Sequence, residues 1–325
     1  MLAVAEHLDT VNLPADRSSI EGLLDRSERS FAGEAPAVER EFLFVLEDLA
    51  QKRIIGTSMI YAQHGTKRAP HIFFRVENDE RYSVTLDRYL VHQTLRIGYN
   101  YNGPTEIGGL ILLPEYRRNT DALGKALSYV RFLFMRMHRE LFRDQVLSEL
   151  LPPLEQDGTS KLWEALGRHF TGLTYQEADR LSKDNKEFIH ALFPDDPIHT
   201  ELLPEDVRAI IGQVGDETKG VEKMLVRIGF EYANQIDPFD GGPHFVATTN
   251  DISIVKEAKE AIVRAHDPEG KRWAILGVEL PGTRPGFRAI GTRITALETG
   301  VVGLNEDARR RLGIEDGQKV WLSYG

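Results

Sequence analysis

The stretch IGGLILLPEYRRNTDALGKALSYVRFLFMRMHRELF, residues 107–142, decides the fold. Its first part, 107–114, is mostly apolar and fits a strand buried on both faces. An arginine-rich turn follows, and apolar residues then recur every three or four positions over 122–142, which predicts an amphipathic helix. Helix N-termini bind anions through unpaired N–H groups and the helix dipole. The stretch therefore predicts a phosphate-holding turn, although an ordinary strand-to-helix connection with solvated arginines has the same pattern.

Upstream of this stretch the sequence predicts a helix and then strands. Apolar residues at helical spacing over 18–32 predict the helix, with Asp16 or Ser18 as its cap. Segments rich in Val, Ile, Phe and Tyr then alternate with Gly, Pro or charged turns. They predict an antiparallel meander at 42–47, 54–62, 71–77 and 89–97.

Downstream, short helices and strands alternate, and the last part of the chain is β-rich. Helices are predicted at 160–170, 176–182, 186–193, 205–211 and 218–228, and strands at 145–151, 229–236 and 244–248. Beyond residue 251, short strands around one helix at 305–312 predict a small β-rich module. We therefore expect an α+β protein with regions 1–150, 151–250 and 251–325. A weak match between 161–175 and 223–236 leaves an internal duplication open.

Composition and charge exclude several classes of protein. The 325 residues contain no cysteine, which excludes disulfide scaffolds, thiolate metal sites and thiol nucleophiles. The net charge is −10, and the region 151–250 holds 18 acidic and 9 basic residues, which disfavours nucleic-acid binding and suits a cationic partner. No apolar run approaches the roughly 20 residues of a membrane span. Residues 1–12 lack a signal-peptide pattern, so we expect a cytoplasmic protein.

Strings of residues spread along the chain resemble the arginine N-succinyltransferase family. They include LPADRSSIEGLLDRSERSFAGE (13–34), FLFVLEDLAQKRIIGTSMI (42–60), TEIGGLILLPEYRR (105–118), SYVRFLFM (128–135), KLWEALGRHF (161–170), LLPEDVRAIIGQV (202–214) and IGFEYANQIDPFDGGP (228–243). The order of a meander, a central strand, a basic turn and a helix is similar to that of the acyl-CoA N-acyltransferase superfamily.

This resemblance implies both a fold and an activity. The fold would be GNAT-like, a mixed and mostly antiparallel sheet with flanking helices, with one or two GNAT-like halves and the small C-terminal module. The activity would be transfer of succinyl from succinyl-CoA to the α-amino group of L-arginine, or of ornithine in some members, in arginine catabolism. Succinyl-CoA would be a cosubstrate, and no tightly bound cofactor is expected.

In that superfamily the turn after the central strand holds the CoA pyrophosphate, and a backbone N–H of the strand contacts the thioester oxygen. The resemblance therefore implies CoA contacts at Leu112, Leu113, Arg117, Arg118, Ala122, Gly124, Lys125 and Ala126.

Direct acyl transfer to an amine needs a general base and no covalent intermediate, since the chain has neither a cysteine nor a recognisable serine elbow. Glu106, at the entry of the central strand, is the first candidate, although a strand-edge glutamate in solvent has the same pattern. His199 and His169 are alternatives because imidazole titrates in the right range. The ten histidines lack the paired spacing of a metal site, so no metal is expected.

Asp237 and Asp240, in the turn IDPFDGGP, are the candidates for binding the acceptor's guanidinium, which carboxylates can contact in a bidentate way. Aspartate before proline and glycine is also common turn chemistry, so a purely structural role stays open.

The chain departs from the family's pattern in four places. It looks shortened at its N-terminus, and its turn at 119–124 is longer. Gly215 and Asp216 stand where histidine and proline are usual, and His199 stands where tyrosine is common. These departures leave two alternatives open: a GNAT-like acyltransferase with another amine or acyl donor, or a non-catalytic subunit that supports an active paralogue. We expect a homo-oligomer, such as a dimer, or a hetero-oligomer with a paralogous subunit, and no nucleic-acid or membrane partner.

Overall fold

The computed structural model describes residues 16–67, 69–117, 122–155, 157–182, 186–266, 268, 270–283 and 286–325. The chain forms two compact units, each built from non-consecutive stretches. Unit 1 comprises Met1–Ala62, Ile107–Asp144 and Thr248–Gly325, and unit 2 comprises Gln63–Glu106 and Gln145–Ala247. The breaks after residues 144 and 247 fall close to the predicted boundaries at 150 and 250. However, residues 63–106 group with the middle region, and the C-terminal region groups with the N-terminal one.

The helices are α1 (Arg17–Phe31), α2 (Leu123–Met137), α3 (Arg168–Thr171), α4 (Tyr175–Ser182), α5 (Glu187–Leu192), α6 (Glu205–Arg208), α7 (Lys219–Arg227), α8 (Ser253–Glu257) and α9 (Glu306–Leu312). The strands are β1 (Glu41–Asp48), β2 (Arg53–Tyr61), β3 (His71–Ser83), β4 (Arg88–Asn100), β5 (Thr105–Leu112), β6 (Gln145–Glu149), β7 (Ile198–His199), β8 (Glu231–Ile236), β9 (Pro243–Thr248), β10 (Lys259–Ala265), β11 (Arg272–Glu279), β12 (Phe287–Glu298), β13 (Val301–Leu304) and β14 (Lys319–Tyr324). None of the described helices is long and apolar enough to cross a bilayer.

Unit 1 contains a small sheet with the strand order β1-β2-β5 and two long helices. Helix α1 begins at the predicted cap, since the Asp16 carboxylate accepts the Ser19 N–H at 2.8 Å. Its apolar face buries Ile20 and Leu23 in a core shared with strand residues such as Met59. Helix α2 is buried along most of its length, which explains why its sequence is apolar on more than one face.

The last five strands close into a barrel with the order β10-β13-β12-β11-β14. Strand β10 pairs in parallel with β13, and the other pairs are antiparallel. Alternating inward side chains such as Val263, Leu276 and Leu322 fill the interior. The barrel confirms the small β-rich C-terminal module predicted from the sequence.

Unit 2 contains the strand order β6-β9-β8-β3-β4-β7. The first two residues of β5 join it, because Thr105 and Glu106 pair in parallel with Val146 and Leu147 of β6. The other recorded pairs are antiparallel, and β3 and β4 form a long hairpin. Parallel and antiparallel pairs therefore coexist, which confirms the predicted mixed, mostly antiparallel α+β architecture.

Two details of the architecture differ from the sequence prediction. The continuous meander is wrong, because the four strands form two hairpins, β1–β2 in unit 1 and β3–β4 in unit 2. The sequence analysis also did not predict β10, β13 and α8 as separate elements. Strand β10 was missed because KEAIVRA begins and ends among charges, which weakens its alternation.

Trp163 anchors the core of unit 2. Its ring is fully buried, stacks on Phe239 at 5.1 Å between centroids, and donates its indole N–H to the Leu173 carbonyl at 3.0 Å. Gly167 makes room for this ring, because a Cβ there would lie 2.3 Å from it. The stacking ties the turn that contains Phe239 to the helical segment that begins at Trp163.

We expect Trp163→Ala to lower the free energy of unfolding by about 3–5 kcal/mol, since it leaves a large cavity and an unpaired carbonyl. Chemical denaturation followed by far-UV circular dichroism measures this. Leu202→Ala is the control, because Leu202 is 83% exposed and its loss should be nearly neutral. A similar small effect for both variants would show that this stack does not stabilise unit 2.

Candidate functional site

Glu106 is buried at the start of β5, in unit 2, and forms an ion pair with a histidine. His64 Nδ1 lies 2.7 Å from Glu106 Oε2, a short distance for a hydrogen bond between an imidazole and a carboxylate. The first predicted general base is therefore a buried, oriented carboxylate and not a strand-edge group in solvent. Its proposed catalytic role stays a prediction.

The loop between β2 and β3 positions His64 through tight backbone contacts. The His64 N–H donates to the Pro104 carbonyl at 2.7 Å, and the Gly103 N–H donates to the Gly65 carbonyl at 3.3 Å. A Cβ on Gly103 would lie 1.8 Å from the His64 carbonyl oxygen, so only glycine permits this approach. Gly65 itself has φ +94°, which favours glycine as well. Two glycines thus bring His64 next to the first residues of β5.

Glu149, the last residue of β6, lies among three imidazoles. Its Oε1 is 3.3 Å from His71 Nε2, 3.5 Å from His244 Nε2 and 4.0 Å from His64 Nε2. His71 and His244 are 3% and 0% exposed, and their rings stack at 5.2 Å between centroids. We call Glu149, His64, His71 and His244 the Glu149 cluster. It lies entirely in unit 2.

Burial and charge shift the pKa values in the Glu149 cluster in opposite directions. Burial lowers the pKa of His244 to about 3 and also lowers that of His71. Burial also opposes protonation of His64, but the Glu106 and Glu149 carboxylates outweigh it and raise the pKa of His64. Burial alone would raise the pKa of Glu149, yet the imidazoles around it hold that pKa well below its ordinary value. The protonation of Glu149 and that of the imidazoles around it therefore depend on each other.

Asp237 and Asp240 lie together in the turn between β8 and β9, where one oxygen of each caps backbone N–H groups. Asp237 Oδ1 accepts from Phe239 N–H at 2.7 Å, and Asp240 Oδ1 accepts from Gly242 N–H at 2.7 Å. Burial and the Glu149 charge raise the pKa of Asp237 to about 6, and burial and Asp237 raise the pKa of Asp240 well above its ordinary value. The predicted turn role is therefore present. The raised pKa values also mark two desolvated acids that a cation would stabilise.

The alternative bases His199 and His169 are not brought together with Glu106. His199, on β7, pairs in register with Thr94 and has a half-exposed side chain. His71 pairs instead with Asn100, six residues further along β4, or about 20 Å at the usual rise of a strand. His169 is an exposed residue of the short helix α3. The geometry gives neither histidine a route to the proton that Glu106 is proposed to take.

The predicted CoA segment lies in unit 1, from the end of β5 to the first turn of α2. Ala122 caps α2 with a left-handed backbone, φ 53°, and its methyl side chain cannot make a cap hydrogen bond. Arg117 is exposed, and its Nε–H donates to the Leu112 carbonyl at 2.9 Å. Helix α2 is 15 residues long, so its N-terminus carries the positive end of a helix dipole, and a cationic side chain lies close to it in sequence.

Several of the predicted CoA contacts are occupied within unit 1. The Leu113 N–H donates to the Ile55 carbonyl at 2.9 Å, so it cannot also bind a thioester oxygen, and that prediction rests on Leu112. The Lys125 ammonium lies 4.2 Å from the Trp273 ring centroid, and Ala126 is buried beside Gly291. Gly124 has room for a Cβ, so packing does not require glycine there. Arg118 lies outside the described residues.

The sequence analysis missed the Glu149 cluster. His64, His71, Glu149 and His244 come from a loop and three strands, so no short spacing motif contains them. The three histidines therefore look scattered in the sequence, and Glu149 carries no mark of its own. The sequence holds only a weak indication of the cluster, which is the position of these residues near strand ends. His71 is the first residue of β3, Glu149 the last of β6 and His244 the second of β9.

Comparison with known proteins identifies the family. A family model described as the arginine N-succinyltransferase beta subunit matches residues 1–254. An arginine N-succinyltransferase of Yersinia pestis is 34% identical over 319 residues, which cover 95% of this chain and 89% of that protein. The arginine N-succinyltransferase subunit beta of Pseudomonas aeruginosa is 34% identical over 257 residues, which cover 79% of this chain and 74% of that one.

A solved structure shows the same likeness in three dimensions. The arginine/ornithine succinyltransferase subunit AI of Pseudomonas aeruginosa matches with a TM-score of 0.84 and 28% identity, over 99% of this chain and 94% of that chain. The resemblance drawn from the sequence motifs is thereby confirmed, and the chain belongs to the arginine N-succinyltransferase family.

Proposed function

We propose that the protein transfers a succinyl group from succinyl-CoA to the α-amino group of L-arginine, with ornithine as a second acceptor. The observation that carries this proposal is the buried Glu106–His64 pair at the start of β5, in a chain of the arginine N-succinyltransferase family. A buried carboxylate with a fixed orientation is suited to take a proton from an amine. The names of the relatives supply the substrate class.

In the proposed reaction the amine attacks the thioester directly. The α-amino group of a free amino acid is mostly protonated at pH 7, so a base must take up its proton before the nitrogen can act as the nucleophile. The amine nitrogen forms a bond to the thioester carbonyl carbon, and the carbon–sulfur bond then breaks to release CoA. Glu106 takes the amine proton, while His64 holds the other carboxylate oxygen in place through Nδ1–H. The thiolate of CoA takes a proton as it leaves.

The donor is proposed to bind in the manner of GNAT-like enzymes, with its pyrophosphate at the N-terminus of α2. Support comes from the N-terminus of this 15-residue helix and from the cationic side chain of Arg117. Leu112 is the last residue of β5, the strand that precedes this helix in the chain. The Leu112 N–H is the proposed donor to the thioester oxygen.

Asp237 and Asp240 are proposed to bind the guanidinium of the acceptor. A guanidinium is planar and matches carboxylate oxygens in a bidentate way. It would add positive charge beside these partly buried acids, since burial raises the pKa of both. We also propose that the protein acts within an oligomer, because several relatives carry subunit names. The proposed compartment is the cytoplasm.

We expect the purified protein to release free thiol from succinyl-CoA when arginine is added, and to do so faster than with acetyl-CoA. Ornithine should replace arginine at a lower rate, and omission of the amine should stop the reaction. A thiol-reactive chromophore measures the release, and mass spectrometry identifies the N-succinyl product. Thiol release that does not depend on any amine would contradict the proposal.

Glu106→Gln should lower kcat by about 10²–10⁴, the usual contribution of a general base, with little change in the KM for succinyl-CoA. The amide keeps the shape of the side chain and can still accept the His64 hydrogen bond. Glu77→Gln is the control, because Glu77 is a half-exposed strand glutamate that pairs with Arg96. A kcat within a few-fold of the unaltered protein would rule out Glu106 as the base.

Asp237→Asn and Asp240→Asn should raise the KM for arginine roughly 10- to 100-fold, as expected for the loss of a hydrogen bond to a charged group. Asparagine retains the oxygen that caps the turn, so folding should persist. Citrulline, the uncharged analogue of arginine, gives a second measurement: the unaltered protein should prefer arginine, and the variants should lose that preference. Asp196→Asn, at an exposed position, is the control. An unchanged preference would leave these acids with their turn role alone.

A further inference from the structure

The Glu149 cluster brings nitrogen and oxygen atoms to the spacing of a metal centre. In a tetrahedral site with bonds of about 2.0 Å, neighbouring ligand atoms lie ~3.3 Å apart. Glu149 Oε1 is 3.3 Å from His71 Nε2 and 3.5 Å from His244 Nε2, so both distances fit. The third distance, 4.0 Å to His64 Nε2, exceeds that value by an amount that a small side-chain rotation removes.

The geometry around Glu149 is supported from two directions. The ligand atoms of His64, His71 and Glu149 all lie within 4.8 Å of one another, and so do those of Glu149, Asp237 and His244. Both groups share Glu149, but only the first brings two imidazoles and a carboxylate together, since His244 is grouped with Asp237 and not with His64 or His71.

The imidazoles also have unpaired nitrogens beside Glu149. Within the described part of the chain, Nε2 of His64, His71 and His244 has no hydrogen-bond partner of good geometry. His71 and His244 are more than nine-tenths buried. Nδ1 of His71 and Nδ1 of His244 have no such partner either. Buried polar atoms in native proteins almost always have a partner, so the unpaired nitrogens around Glu149 require an explanation. A metal ion bound to Nε2 of His64 and of His71 would supply it for those two atoms.

The hydrogen bond between His64 and Glu106 is a further feature of metal sites. A histidine that binds a metal through one ring nitrogen usually donates the other N–H to a carboxylate, which fixes the tautomer and the ring orientation. His64 donates from Nδ1 to Glu106 Oε2 at 2.7 Å and turns Nε2 towards Glu149. Glu106 would thus orient a ligand of the ion without touching it.

We propose that His64 and His71, through Nε2, and Glu149, through Oε1, bind a divalent transition-metal ion, with Zn²⁺ as the best fit. Two imidazoles and one carboxylate favour Zn²⁺, Co²⁺ or Ni²⁺ over Mg²⁺ or Ca²⁺, which prefer oxygen ligands alone. The ion's positive charge would also offset the nearby acids Asp237 and Glu106. This proposal departs from the sequence-based expectation of no metal, and it does not depend on the proposed acyl transfer.

Cobalt binding tests the site without reference to activity. The full-length protein is treated with a chelator, dialysed and titrated with Co²⁺, whose visible absorption reports four- or five-coordinate geometry. We expect one Co²⁺ per chain with intense visible bands, and displacement of these bands by Zn²⁺. Glu149→Gln and His71→Ala should each weaken Co²⁺ binding at least tenfold and remove the bands.

His199→Ala is the matched control, because His199 belongs to a separate group with His92 and Glu201. It should keep the bands and the affinity. Thermal unfolding gives an independent measurement: Zn²⁺ should raise the Tm of the unaltered protein and of His199→Ala, but not that of Glu149→Gln. If His71→Ala fails to fold, the nearly isosteric Glu149→Gln decides. Equal binding by Glu149→Gln and the unaltered protein, or loss of binding in His199→Ala, would overturn the proposal.

Discussion

The rest of the site in unit 2 depends on the interaction between the ionised carboxylate of Glu149 and the imidazoles around it. A carboxylate in a mostly buried position needs compensation, because removal from water penalises its charged form. The imidazoles of His64, His71 and His244 provide that compensation and hold its pKa low. The consequences extend to its neighbours: burial raises the pKa values of Asp237 and Asp240, the Glu149 charge raises that of Asp237 further, and Asp237 does the same for Asp240. Burial and the Glu149 charge therefore act together on the protonation of the acidic turn.

The acidic residues of the protein differ in how strongly they can attract a cation. The region 151–250 holds twice as many acidic as basic residues, and the sequence alone suggests a general attraction for cations. Many of these acids are exposed, for example Asp206 and Asp216, which pair with lysines and are screened by solvent. Asp237 and Asp240 differ because they are desolvated, and a cation that reaches them interacts in a medium of low dielectric. The proposed selectivity for a cationic acceptor is therefore better explained by these two partly buried acids than by the net charge.

Much of the fold could be predicted from the sequence because its signals are local. The helical spacing of α1, the Asp16 cap and the strand–turn–helix at β5 and α2 each lie within one continuous stretch. Strand pairing is not local, and for that reason the predicted meander was wrong although its strands were present. The same difference between local and non-local signals applies to the site. Glu106 was found from its place at the start of a strand. The imidazoles around Glu149 were missed, because a loop and three strands must fold before His64, His71 and His244 meet.

The hydrogen bond from His64 Nδ1 to Glu106 serves both the proposed base and the proposed metal site, and it makes them compatible. A metal ion needs the lone pair of Nε2, which requires the neutral tautomer with the proton on Nδ1. That tautomer is also the one that donates to Glu106 Oε2. When no ion is bound, a proton on Nε2 can occupy the space between His64 and Glu149 and leave the Nδ1 bond unchanged. Glu106 therefore keeps its orientation in either state, so the geometry of the base does not depend on whether the cluster holds a metal.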